Sequence, residues 1–247
     1  MTNLRTALCF FTRLPLGQPD QVTSFAGVVA WFPAVGLVIG ILIGLVVWAT
    51  ALALPPIVCG ALGCLAWIAI TGGLHMDGVA DCGDGMLVEA PREKRLVIMK
   101  DSRLGTFGAL ALFSVVLLKF ATLSTLADTV QPTAYSCANL AGICAMAAIL
   151  GRCSTFLAMR LPSARPGGMG STTVAGVNSR HAFWAGASAL AICAINGLAG
   201  VAALVVALGV AAIFLSAAKK RLGGVTGDVY GCLIELTECA VLTVACI

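Results

Sequence analysis

Residues Gly72 to Gly85 read GGLHMDGVADCGDG, which places His75, Asp77, Asp81 and Asp84 directly after an uncharged stretch long enough to cross a bilayer. Ionisable side chains at the mouth of a membrane helix are costly, and function is the ordinary reason to keep them. On a helix turning about 100° per residue, the three aspartates fall within about 60° of one another. Like charges on one face repel, and a divalent cation relieves the repulsion. Ligands that are all oxygen select a hard ion such as Mg²⁺ or Mn²⁺. His75 suits two roles, general base toward an attacking hydroxyl or orienter of Asp77 or of a substrate. Spacing does not choose between them.

Two further clusters extend this chemistry. Lys100, Asp101 and Arg103 stand where the chain re-enters the membrane, just before Gly105 and Gly108. A lysine and an arginine there can grip phosphate oxygens, and Asp101 can add a metal ligand or orient the arginine. Near the C-terminus, LGGVTGDVYGCLIELTE holds Thr226, Asp228, Glu235 and Glu238. Thr226 and Asp228 are candidates for binding substrate, as is Arg152, which is embedded in an apolar stretch and could reach a phosphate. Glu235 shares a helical face with Asp228 and must look into the bundle. It is expected to complete the metal site, or else to pair with Arg152 or Lys119. Together these groups suit a phosphoryl-group reaction, with carboxylates holding Mg²⁺ and cations neutralising developing charge.

The elements that position these residues are membrane helices. The chain of 247 residues is 60% hydrophobic and 11% charged, outside the range of soluble globular domains. The expected fold is all-α, a polytopic transmembrane bundle forming one domain. Apolar runs place spans near Val28–Leu54, Ile57–Leu74, Leu104–Leu126, Thr133–Met159 and Val229–Ile247. Two short spans fit in Ala182–Ala218, turning at Asn196-Gly197. The count is about seven, or six if that last stretch is one broken element. With the N-terminus cytoplasmic, fourteen of the fifteen cationic residues fall in cytoplasmic segments, Lys119 alone excepted. The acidic loop, 75–103, then faces the cytoplasm.

Residues 1–23 form a separate cytoplasmic or interfacial segment, with Leu4, Leu8 and Phe11 at amphipathic spacing. Met1–Asp20 lacks the apolar core of a cleavable signal peptide. Arg92–Lys100 reads as a short surface helix opened by Pro91, with Arg92, Lys94 and Arg95 on a solvated face. The eleven cysteines form no CxxC pair and read as small apolar residues at helix contacts. The net charge of +4 is spread out, with no basic run of the kind that binds nucleic acid.

Three blocks, TGGLHMDGVADCGDG, IMKDSRLGTFGALAL and LGGVTGDVYGCLIELTE, resemble the signature segments of the cobalamin synthase family, the adenosylcobinamide-GDP ribazoletransferases. FFTRLPL and WFPAVGLVIG are similar to that family as well, in the same order, while Leu161–Arg180 is much less distinctive. The resemblance implies a multi-pass enzyme of the bacterial inner membrane that depends on Mg²⁺. It implies the joining of adenosylcobinamide-GDP to α-ribazole, or to its 5′-phosphate, with release of GMP. Under it, Asp77, Asp81 and Asp84 hold the metal, and the expected ligand set read from the residues adds Asp101 and Glu235. His75, Asp81, Lys100 and Arg103 are catalytic, and Arg152, Thr226 and Asp228 bind substrate. The bilayer is the other partner, and the sequence leaves homo-oligomers open. A transporter is the first rival, but its carboxylates belong at mid-membrane. A transferase acting on CDP-alcohols is the second, but its full motif of paired aspartates is absent.

Overall fold

The computed structural model describes residues 2–17, 26–165 and 179–247. Among them the chain is helical, with no strand and one isolated parallel bridge between Ser163 and Val225. The helices are α1 (Thr2–Phe11), α2 (Ala26–Val29), α3 (Phe32–Ala51), α4 (Pro56–Thr71), α5 (Leu74–Leu87) and α6 (Arg92–Ile98). They continue as α7 (Thr106–Asp128), α8 (Ala134–Ala158), α9 (Ser179–Ile195), α10 (Gly197–Leu222) and α11 (Gly227–Val244).

Each expected span has a helix at its place, and the turn at Asn196-Gly197 separates α9 from α10 as the sequence suggests. By length and composition, four segments among the described residues can cross a membrane: Gly27–Ala51, Thr106–Asp128, Ala134–Ala158 and Gly197–Leu222. A fifth counts if the bent pair α4–α5 is one span. The expected seven is not reached on these grounds. Helix α9 has 17 residues, and α11 carries Asp228, Glu235 and Glu238 within 18. The fold is a multi-pass membrane bundle.

The core starts from a seam of small residues. Gly36, Gly40 and Gly44 repeat at four-residue spacing on α3, and an added Cβ at any of them would strike the backbone of α8 at Ala148, Ala145 or Ala141. Close approach of this kind is how helices associate where no hydrophobic effect separates protein from lipid. Helix α11 is the central strut, buried along most of its length and packed on α5, α7, α8 and α10. The N-terminal segment is docked, since Phe11 is 4% exposed and meets Phe32 edge-on with ring centroids 4.6 Å apart.

One bend determines where the acidic segment goes. Gly72 ends α4 and Gly73 begins α5, both left-handed with φ of 64° and 65°. Side chains with a Cβ resist that conformation, so a glycine pair is what the turn requires. The chain swings through 96° there. Helix α5 consequently runs along the rim of the bundle instead of extending α4.

Candidate active site

The rim is assembled from both ends of the chain. The Arg13 N–H donates to the Ile70 carbonyl at 2.7 Å, and the Arg13 side chain covers Gly72. Further on, α5 nests against α11 at Gly78, where an added Cβ would lie 2.6 Å from the Asp228 carbonyl oxygen. That contact sets Asp77 and Asp81 beside the start of α11. Thr226 caps α11 by accepting from the Val229 N–H at 3.3 Å, while its hydroxyl donates to Asp228 at 3.1 Å. Asp228 also takes Arg165 at 3.3 Å. Arg165 is held in turn through its donation to the Leu96 carbonyl at 3.0 Å.

Asp77, Asp81 and Asp228 form an electrostatic group. Partial burial pushes the Asp81 carboxyl up to about 7, and the negative charges of Asp228 and Asp77 push it the same way. A carboxyl held at the edge of ionisation by burial and by its neighbours is one that a bound cation would ionise. Among the described residues no three His, Cys, Asp or Glu side chains are drawn together as a finished metal centre. The donor set fits a hard divalent ion in type and charge.

The other expected ligands have different partners. Asp84 accepts from the Gly105 N–H at 2.7 Å and the Gly108 N–H at 2.8 Å, so its oxygens cap α7. The glycines leave room for it, because a Cβ at either would run into the carboxylate. Asp101 binds its neighbour Arg103, which donates through Nη2 at 2.6 Å and through Nε at 3.0 Å. This contact holds the Asp101 carboxyl down to about 2. Of the two roles open to Asp101, the structure displays orientation of the arginine. Lys100 and Arg103 are exposed on the loop that Asp84 anchors.

Glu235 belongs to a buried charge network. Lys119 donates to Glu235 and Glu238, each at 2.6 Å, and Arg152 donates to Glu238 and to the Ala148 carbonyl. The ammonium group also lies 4.3 Å from the Trp67 ring centroid. Two cations and two anions cancel, which is the condition for keeping such groups in a bundle interior. Pairing with Lys119 thus takes the place of metal ligation by Glu235. Arg152, expected at a substrate phosphate, is 0% exposed and committed to Glu238.

His75 joins this network to the rim. It is 4% exposed, its Nδ1 stands 3.6 Å from Glu235, and neither ring nitrogen has a hydrogen-bond partner. Burial pushes its pKa down, leaving a neutral imidazole. Its ring lies 5.6 Å from that of Phe11. A cleft of about 180 Å³ opens at this point, walled by Phe10, Phe11, Phe32, Tyr230 and Ile234 and edged by His75, Asp77 and Asp228. The arrangement is an apolar cleft with a carboxylate rim and an unpartnered imidazole in its wall.

The family described as cobalamin-5-phosphate synthase matches residues 3–246. The chain belongs to this family. Relatives named adenosylcobinamide-GDP ribazoletransferase agree along nearly the full length. The one from Pseudomonas aeruginosa strain UCBPP-PA14 is 38% identical, covering 98% of this chain and 96% of its own. That from Brevibacillus brevis is 36% identical over 96% and 95%, and that from Escherichia coli O45:K1 is 35% identical over 94% and 94%. No solved structure matches the chain.

Several residues lie elsewhere than their spacing suggests. Arg95, expected on a solvated face, is 7% exposed and donates to the carbonyls of Gly85, Met86 and Ala90. Together with Arg221 on Met86 it caps the end of α5. Arg165 and Tyr230 were not singled out, although both reach the rim. Arg165 precedes a stretch outside the described residues, and only the pairing of Ala164 with Val225 brings it to Asp228. The expected loop Leu161–Arg180 lies largely in that stretch.

Proposed function

We propose that this chain joins α-ribazole, or its 5′-phosphate, to adenosylcobinamide-GDP at the rim formed by α5 and α11. A ribose hydroxyl attacks the phosphorus that stays with cobinamide, the diphosphate breaks, and GMP leaves. Full-length agreement with ribazoletransferases is the observation that supports the reaction, and the carboxylate rim beside the cleft is what supports its location. Asp77, Asp81 and Asp228 would hold Mg²⁺. When bound, the ion supplies charge neutralisation across the diphosphate.

The chain's own residues do the rest. Arg165 pins Asp228, and Thr226 fixes its rotamer. Lys100 and Arg103 brace phosphate oxygens from the loop anchored by Asp84, with the guanidinium fork aligned by Asp101. His75 accepts the hydroxyl proton at a ring nitrogen, because burial keeps the imidazole neutral and no hydrogen bond occupies it. The distribution of cations supports a reading in which this rim faces the cytoplasm, with the bundle seated in a bacterial inner membrane. Lys119, the one cation outside that pattern, is neutralised inside the bundle.

The test is incubation of purified protein in nanodiscs with adenosylcobinamide-GDP, α-ribazole and Mg²⁺. A completed corrinoid and GMP should appear in equal amounts, stop on chelation and return with Mg²⁺. Absence of both products from well-inserted protein refutes the proposal, and turnover that survives chelation refutes the metal.

A further inference from the structure

We propose that the cleft between α1, α3, α5 and α11 is the pocket for the aromatic base of the acceptor nucleoside, with its sugar directed to the carboxylate rim. The inference rests on the reaction proposed above and adds which substrate the cleft receives. Three observations carry it. The walls are aromatic at more than one angle, since Phe11 and Phe32 meet edge-on at 83° and Tyr230 joins them. Such a wall offers faces and edges to a flat ring. The volume, about 180 Å³, suits a two-ring heterocycle and falls far short of a corrin macrocycle. Finally, both His75 nitrogens and the Tyr230 hydroxyl are buried without hydrogen-bond partners, and both residues line the cleft.

Orphaned polar atoms in a buried wall cost free energy unless something arrives to pair them. An imidazole and a phenol provide donors and acceptors in small number. That matches an azole-type base with few polar edge atoms plus the hydroxyls of a sugar. A guanine edge would bring more donors and acceptors than this wall can satisfy. Phosphate is disfavoured inside the cleft too, because no lysine or arginine among the described residues lines it. The diphosphate of the other substrate therefore belongs outside, over the rim. A base seated against Phe11 and Phe32 would set its sugar beside His75, the group assigned to receive the hydroxyl proton.

Steady-state kinetics with both substrates varied tests the assignment. Phe32→Ala and Tyr230→Leu should raise the KM for α-ribazole about tenfold or more, in the range that loss of a stacking partner produces. The KM for adenosylcobinamide-GDP should move less than about twofold. Tyr230→Phe, which keeps the ring, should show a smaller rise. Unmodified protein supplies a control that does not depend on variants folding. Free benzimidazole should inhibit competitively against α-ribazole and not against adenosylcobinamide-GDP. Competition with adenosylcobinamide-GDP instead, or no inhibition at concentrations well above the KM for α-ribazole, overturns the assignment. If unmodified protein makes no product, the proposed reaction fails. The cleft is then judged by equilibrium dialysis of α-ribazole, where binding that Phe32→Ala leaves unchanged sinks it.

Discussion

Lys119 tests the buried network directly. Its ammonium group is 0% exposed, lies 2.6 Å from each of two glutamates and sits over Trp67. Lys119→Met keeps comparable bulk and removes the charge, so Glu235, Glu238 and Arg152 are left with a net charge of about −1. Removing one partner of a buried pair costs about 3–5 kcal/mol. The upper part of that range is expected, because two carboxylates and a ring lose the same partner. Adding Glu235→Gln to Lys119→Met restores neutrality, since Glu238 and Arg152 still balance. The double variant should therefore recover most of the loss, although it has two fewer charges than the original. Thermal unfolding in detergent, followed by a thiol-reactive dye, reports this well: the cysteines are free, and Cys64, Cys144 and Cys239 are buried in the bundle. A single variant within about 1 kcal/mol of the parent, or a double variant no better than the single, would refute the neutrality argument.

The remaining predictions concern the rim and its supports. Asp81→Asn should abolish Mg²⁺-dependent turnover with little loss of fold, whereas Asp84→Ala should cost about 1–2 kcal/mol of stability as an uncapped helix end; unfolding and turnover measured on both variants separate the roles. The Asp81 pKa is raised from 3.8 to about 7 in the folded protein, so the native state holds more protons between those limits, and without divalent cations stability should fall as pH climbs through that window. Asp81→Asn should flatten the decline, and an unchanged slope would place its source elsewhere. At the bend, Gly73→Ala meets nothing closer than the Ile68 side chain at 4.0 Å and should cost about 1 kcal/mol for its backbone conformation. Gly72→Ala must also displace the Arg13 side chain and should cost more; equal melting temperatures for the two would show that the Arg13 contact is slack.

Local pattern accounts for what the sequence revealed, and long-range pairing for what it concealed. Uncharged runs ended by Pro55-Pro56, Asn196-Gly197 and the acidic block mark helices because each hydrophobic stretch carries its own boundary. The expected surface helix Arg92–Lys100 appears as Arg92–Ile98 for the same reason. The aspartates of α5 were legible as a charged helical face. Their division of labour was not, because Asp84 is assigned to capping by amides 21 and 24 residues further along the chain. Glu235 left three readings open, and Lys119, which settles its partner, is 116 residues away. Arg165 looked like an ordinary loop cation until a two-residue pairing drew it to Asp228. Spacing exposes groups that share one helix, and it is silent about which helices meet.

The turn at Gly72 and Gly73 also bears on how the protein enters its membrane. A straight helix from Pro56 to Leu87 would present Asp77, Asp81 and Asp84 to the translocon as part of one long segment. Each aspartate near the middle of an inserting helix adds about 2.5–3.5 kcal/mol to the insertion cost. The elbow divides that segment into an apolar half suited to lipid and an acidic half that need not follow it there. Acids that biosynthesis never asks to cross hydrocarbon can be chosen for catalysis alone.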